Sequence, residues 1–64
     1  MEIEIHDLSD IQEGDTVFMG GNIPCFVEEI TEHGVWAQED GFPNAEVFLT
    51  LKDLYKHLIR DENS

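Results

Sequence analysis

The stretch that decides the fold is residues 14–38, GDTVFMGGNIPCFVEEITEHGVWAQ. It contains three runs rich in β-branched and aromatic residues, at 16–19, 23–31 and 35–38, and such runs favour strands. The runs are separated by Gly20-Gly21-Asn22 and by Glu32-His33-Gly34, which favour hairpin turns with Gly34 at a left-handed position. The stretch therefore predicts three consecutive antiparallel strands. Its alternation breaks at Glu28-Glu29, which permits a β-bulge.

Two more strands are predicted outside this stretch. Residues 2–6 alternate polar and apolar side chains, which is the pattern of a half-buried strand. A turn follows at Gly14-Asp15, where glycine can take a positive φ. Glu46-Val47-Phe48-Leu49 comes after a loop at 39–44 and forms the last predicted strand.

The C-terminal part of the chain predicts a helix over about 51–60. Its apolar residues have the i, i+3, i+4, i+7, i+8 spacing of one buried stripe and are Leu51, Leu54, Tyr55, Leu58 and Ile59. Thr50 stands where an N-cap is expected, and Asp53 stands where its capping-box partner is expected. Residues 61–64 are expected to fray.

The segment Gly14-Asp15-Thr16-Val17, with the turn and strands that follow to about Gln38, resembles small SH3-like barrels, including the KOW type. The resemblance implies a fold and no activity. The Tyr-rich motif of peptide-binding SH3 domains and the basic loops of RNA-binding KOW barrels are both missing. We therefore expect one domain over 1–64, with a strand-rich body over 1–49. It would be a mostly β, small five-stranded SH3-like barrel or rolled antiparallel sheet with one C-terminal α-helix.

Charge is distributed very unevenly along the chain. Fifteen acidic and three basic residues give a formal net charge of −12. Residues 1–51 hold twelve of the acids and no Lys or Arg, whereas residues 52–64 hold three acids and all three bases. Such a field repels nucleic acids and anionic membranes and attracts basic proteins. A simpler explanation, in which the acids only keep a small domain soluble, stays open.

No group of residues has the pattern of a catalytic, cofactor or metal site. The three histidines lack a second ligand at zinc spacing, and the acids near Gly14 lack the alternating ligands of an EF-hand. Glu28 and Glu29 are adjacent on a strand, so they are expected to point to opposite faces and not to converge. Cys25 has the setting of a buried structural thiol. We therefore expect a protein that is not an enzyme and needs no cofactor.

The candidate partner-binding surface is the segment 36–43, in which aromatic residues flank an acidic turn. Aromatic anchors with a charged rim are typical of interface hot spots. The predicted contact residues are Trp36, Glu39, Asp40 and Phe42, together with Glu28 and Glu32. The alternative is that Trp36 and Phe42 belong to the core. Three other aromatic residues, Phe18, Phe26 and Phe48, are assigned to the core.

These features predict a small acidic interaction or regulatory protein that docks on a basic protein surface. One alternative is a nucleic-acid mimic, whose carboxylates occupy the DNA or RNA site of another protein and inhibit it; small acidic inhibitors encoded by phages are similar in size and charge. The other is a nucleic-acid-binding SH3-like barrel, which the charge disfavours. Lys52, Lys56 and Arg60 are too few to offset twelve acids and are expected to lean against the acidic body.

The predicted setting is the cytoplasm. No apolar run approaches the length of a membrane span, and Met1-Glu2-Ile3-Glu4 is the opposite of a basic signal sequence. The single cysteine cannot form an internal disulfide, which favours a reducing compartment. The expected assembly is a monomer or a weak homodimer, because repulsion between like charges opposes tight self-association.

Overall fold

The computed structural model describes residues 1–42 and 45–61, and every structural statement below refers to these residues. They form one antiparallel sheet with the strands β1 (Glu2–Glu4), β2 (Thr16–Met19), β3 (Ile23–Ile30), β4 (Val35–Glu39), β5 (Glu46–Leu49) and β6 (Leu54–Ile59). A 3-10 helix, Leu8–Asp10, lies between β1 and β2. The described residues contain no helix with the length and apolarity that crossing a membrane requires.

The sheet has the strand order β1-β6-β2-β3-β4-β5, which leaves β1 and β5 as edges and the sheet unclosed. The molecule measures 27 × 25 × 21 Å, so the sheet must curve around one face instead of lying flat. The buried hydrophobic residues form one core cluster and are Ile5, Ile11, Val17, Cys25, Val27, Val35, Ala37, Leu49, Leu54 and Leu58. The mostly β architecture is therefore confirmed, and all five strands expected from the sequence are present. The unclosed antiparallel sheet is compatible with a small barrel-like fold.

The turn between β2 and β3 has the predicted glycine-rich form. Gly21 and Asn22 have φ values of 85° and 59°, in the left-handed region that these two residue types tolerate best. Gly14, in the turn before β2, likewise has a φ of 92°. The predicted positive φ at this glycine is therefore confirmed.

The prediction of a left-handed conformation at Gly34, between β3 and β4, is wrong. Its φ is not positive, and glycine is needed there for space instead. A Cβ on Gly34 would lie 2.5 Å from the carbonyl oxygen of Leu49 and 2.9 Å from Cζ of Phe48. Thr31 closes the turn, since its N–H donates to the Gly34 carbonyl (2.8 Å) and its hydroxyl oxygen accepts from the Gly34 N–H (3.1 Å).

The predicted C-terminal helix is wrong, because the segment forms strand β6. β6 lies inside the sheet and pairs with both β1 and β2. Leu54 and Leu58 are buried as predicted, since residues four apart share a face in a strand as well as in a helix. Tyr55 and Ile59, which the helical stripe would bury, are exposed. Backbone pairing on both sides of the segment overrides its local helical spacing.

The predicted contact between Thr50 and Asp53 is present, although no helix follows it. The Asp53 carboxylate accepts hydrogen bonds from the backbone N–H and the hydroxyl of Thr50, both at 2.9 Å. These bonds hold the pKa of Asp53 below its ordinary value. The pair closes a turn that leads from β5 into β6.

A buried ion pair joins the turn before β2 to Arg60, the residue that follows β6. The Asp15 side chain is 3% exposed and accepts from Nε and Nη2 of Arg60 at 2.9 and 2.8 Å. Nη2 of Arg60 also donates to the Asp10 carbonyl at 2.9 Å. The prediction that the basic residues lean against the acidic body is therefore confirmed for Arg60, whereas Lys52 and Lys56 are exposed.

Two predictions fall partly outside the described residues. The frayed tail 61–64 includes 62–64, and the loop 39–44 includes Pro43 and Asn44.

Candidate protein-binding surface

Aromatic side chains are concentrated on the outer face of the sheet. In β3, Cys25 and Val27 are buried, so Phe26 between them points outward and is 46% exposed. In β5, Leu49 is buried and Phe48, its neighbour, is 38% exposed. The assignment of Phe26 and Phe48 to the core is therefore wrong. Phe18, assigned to the core with them, is only half-buried, and the centroid of its ring lies 5.0 Å from the ring centroid of His57.

Trp36 and Phe48 form an aromatic pair on this face. Their Cα atoms are register partners in β4 and β5, and their ring centroids are 5.0 Å apart at an angle of 56°. Trp36 remains 39% exposed, so it does not belong to the core. Tilted aromatic pairs at this distance attract each other and hold each other's orientation. The pair is therefore an ordered apolar feature that faces solvent.

Glutamates surround Trp36. An open depression of about 430 Å³ is lined by Glu28, Glu29, Trp36 and Glu46. The pairing of β3 with β4 shifts register between Val27 and Glu29, which is the bulge that the broken alternation permits. Glu28 and Glu29 line the same depression, so the prediction that they point to opposite faces is wrong. A bulge interrupts the strict alternation on which that prediction rests.

Two of these glutamates influence each other. The neighbouring carboxyl group of Glu46 raises the pKa of Glu28 above its ordinary value, because it can accept a hydrogen bond from the protonated form and repels the ionised form. Two acidic groups therefore lie together here at an electrostatic cost, which a cation at this place would relieve. We call Glu28, Glu29, Trp36, Glu46 and Phe48 the outer patch.

The structure brings together only two of the six predicted contact residues. Glu28 and Trp36 share the depression. Glu32 is exposed in the adjoining β3–β4 turn, where its Oε1 lies 3.3 Å from Nε2 of His33. Asp40 and Phe42 lie beyond the other end of β4, where Phe42 is 60% exposed. Three strand residues separate Trp36 from the end of β4, a distance of about 10 Å. The predicted surface is therefore divided between the two ends of β4.

Glu39 does not share a face with Trp36. It is the register partner of Cys25. Burial raises the pKa of the Cys25 thiol, and the nearby charge of Glu39 raises it further. Cys25 is fully buried, as predicted, and a thiol with a raised pKa is a poor nucleophile.

Sequence reasoning missed Glu29, Glu46 and Phe48. The indication for Phe48 is present in the sequence, because a strand that begins with Glu46 on its solvent face must also turn Phe48 toward solvent. Hydrophobicity alone suggests the core instead. Glu28 and Glu46 lie on β3 and β5, on either side of β4, and their proximity depends on the bulge in β3. Local sequence therefore contains no indication of it.

Within the described residues, no three His, Cys, Asp or Glu side chains are placed to hold a metal ion. The feature of the outer face with the most definite chemistry is therefore the aromatic pair bordered by glutamates. Comparisons of the chain with protein-family models, with curated proteins and with solved structures found no match.

Proposed function

We propose that the protein is a small, acidic, non-catalytic interaction module that docks on a basic protein surface through the outer patch. The observation that carries the proposal is the exposed Trp36–Phe48 pair, which is bordered by three glutamates. Burial of the aromatic pair would supply the apolar centre of an interface, and the glutamates would meet cations of the partner. The net charge of −12 would attract the same partner from a distance and speed association.

We also propose that the sheet is of the SH3-like type. Two features support this assignment. Gly14-Asp15-Thr16-Val17 leads into β2, and β6 returns after the meander β2–β5 to pair with β2. The assignment concerns the fold and adds nothing about the partner.

A narrower form of the proposal is nucleic-acid mimicry, in which the acidic body occupies the DNA or RNA site of another protein and inhibits it. The absence of Lys and Arg over residues 1–51 favours it, since a strongly acidic body would be attracted to a groove that binds phosphates. Competition distinguishes the two forms, because only a mimic is displaced from its partner by the nucleic acid that the partner binds.

The test of docking is affinity capture from a cell lysate at low and high salt, with two charge-reversed double variants. Glu28→Lys/Glu46→Lys alters the outer patch, and Glu2→Lys/Glu4→Lys makes the same change in net charge on the exposed edge strand β1. We expect wild type and the β1 variant to retain basic proteins that elute as salt rises, and the outer-patch variant to lose them.

Equal loss of captured proteins in both variants would contradict docking through the outer patch. Tight binding of the wild-type chain to duplex or single-stranded nucleic acid would contradict the proposal altogether, since the chain would then bind polyanions and not basic surfaces.

A further inference from the structure

We propose that the depression formed by Glu28, Glu29, Trp36 and Glu46 receives an arginine side chain of the partner, in preference to lysine. The inference rests on the proposed function, because it names the side chain that the outer patch would take from a basic protein.

Trp36 forms one wall of the depression. Trp36 is 39% exposed, and its contact with Phe48 fixes the orientation of its ring. The face of an indole attracts cations more strongly than any other aromatic side chain does. A guanidinium is planar and weakly hydrated, so it can stack on that face, whereas a compact ammonium keeps most of its water.

Three carboxyl groups converge on the depression. Glu28, Glu29 and Glu46 all line it, and the proximity of Glu46 raises the pKa of Glu28. A guanidinium presents five N–H donors in a rigid fork that can bind two carboxylates at once. Its positive charge would offset the repulsion between neighbouring carboxylates and favour the ionised form of Glu28. The raised pKa of Glu28 should accordingly fall when the cation binds.

The depression is open to solvent, and its volume of about 430 Å³ leaves room for the end of one side chain with water around it. None of the residues that line it is basic, so the neutralising charge must come from a partner. One arginine on a protruding basic segment satisfies this requirement without movement of the strands.

The experiment is an NMR titration of the folded protein with two short peptides of equal charge and length, one with arginine and one with lysine at alternate positions among glycines. We expect the arginine peptide to bind about three- to fivefold more tightly, which is the contribution of one exposed cation–π contact. The largest shifts should fall on the Trp36 indole N–H and on the side-chain carboxyl carbons of Glu28 and Glu46. The titration midpoint of Glu28 should fall in the complex.

Two variants make the test specific. Trp36→Leu should retain salt-sensitive binding and lose the preference for arginine. The control Glu2→Gln/Glu4→Gln removes two charges from β1 and should preserve the preference. Even if Trp36→Leu folds poorly, the chemical-shift changes in the wild-type protein show whether the arginine peptide binds at this depression.

The outcomes separate the inference from the proposed function. Equal affinity for the two peptides, with shifts spread over the acidic surface, would overturn the arginine preference and leave docking on basic surfaces intact. A wild-type protein that binds neither peptide at low salt would overturn docking itself. A preference for arginine with shifts away from Trp36 would also overturn the assignment to this depression.

Discussion

Asp15 is the one charged side chain that is buried among the described residues, and it depends on Arg60. The carboxylate also accepts from the N–H of Gln12 at 2.7 Å, so its oxygens are satisfied inside the protein. Satisfied in this way, a buried charge is tolerated, but removal of its partner leaves it desolvated and uncompensated. The turn before β2, which contains Asp15, therefore depends on Arg60, the residue that follows β6.

We predict that Arg60→Ala destabilises the fold far more than Lys56→Ala. Both substitutions remove one positive charge, but Lys56 is exposed. A buried carboxylate such as Asp15 that loses its partner costs about 3–5 kcal/mol, a large part of the stability of a small domain. Urea unfolding of the two variants measures the difference. Equal losses in both would mean that overall charge, and not the Asp15 contact, accounts for the effect.

At the scale of elements, Gly34 controls how closely β5 approaches the turn between β3 and β4. The place that a Cβ would occupy is already filled by the Leu49 carbonyl and the Phe48 ring. Phe48 in turn supports Trp36. The glycine therefore links the hairpin to the geometry of the outer patch.

We predict that Gly34→Ala lowers the free energy of unfolding by about 1–3 kcal/mol, the usual cost of overpacking. Gly20→Ala is the matched control, because a Cβ there would have no neighbour within 4 Å and the residue has no positive φ. Thermal unfolding followed by circular dichroism should show a lowered midpoint for the first variant and little change for the second. A Gly34→Ala protein as stable as wild type would show that β5 can shift at no cost.

β6 shows why the C-terminal helix expected from the sequence does not form. Leu54 and Leu58 are four residues apart, a spacing that both a helix and a strand place on one face. The residues that distinguish the two are Tyr55 and Ile59, which are exposed. Their exposure follows from pairing with β1 and β2, partners that lie far away in sequence. Turns and hairpins were predictable because they depend on residues close together in sequence. The pairing of β6 with β1 and β2 was not predictable, because it joins residues that are far apart in sequence.

The same limit applies to the candidate site. Residue type alone indicates Trp36 and Glu28 as candidate contact residues, but it does not decide whether Trp36 faces solvent or the core. Their convergence with Glu46 was not predictable from local sequence, since it depends on a bulge in β3 and on the position of β5 across β4.

At the scale of the whole molecule, the excess of acids is the dominant electrostatic feature. Of the three bases, Arg60 is committed to the buried pair with Asp15. The remaining carboxylates therefore repel one another across a molecule with a radius of gyration of 10.5 Å, which is about one Debye length at moderate salt.

We predict that moderate concentrations of sodium chloride raise the melting temperature, because screening weakens repulsion that the folded state concentrates. The variant Glu2→Gln/Glu4→Gln has two fewer charges and should show a smaller rise. Calorimetry over a salt series measures both responses. A flat or falling melting temperature in the wild-type protein would show that repulsion between its carboxylates is unimportant.

Trp36 is the single tryptophan of the chain, and it lies partly in water on the outer face of the sheet. Intrinsic fluorescence excited through the indole therefore originates from the outer patch and not from the core. Because this ring is already hydrated in the native protein, denaturation should move its emission maximum only modestly. A partner that covers the ring would shift the emission toward the blue, so the protein contains its own label for occupancy.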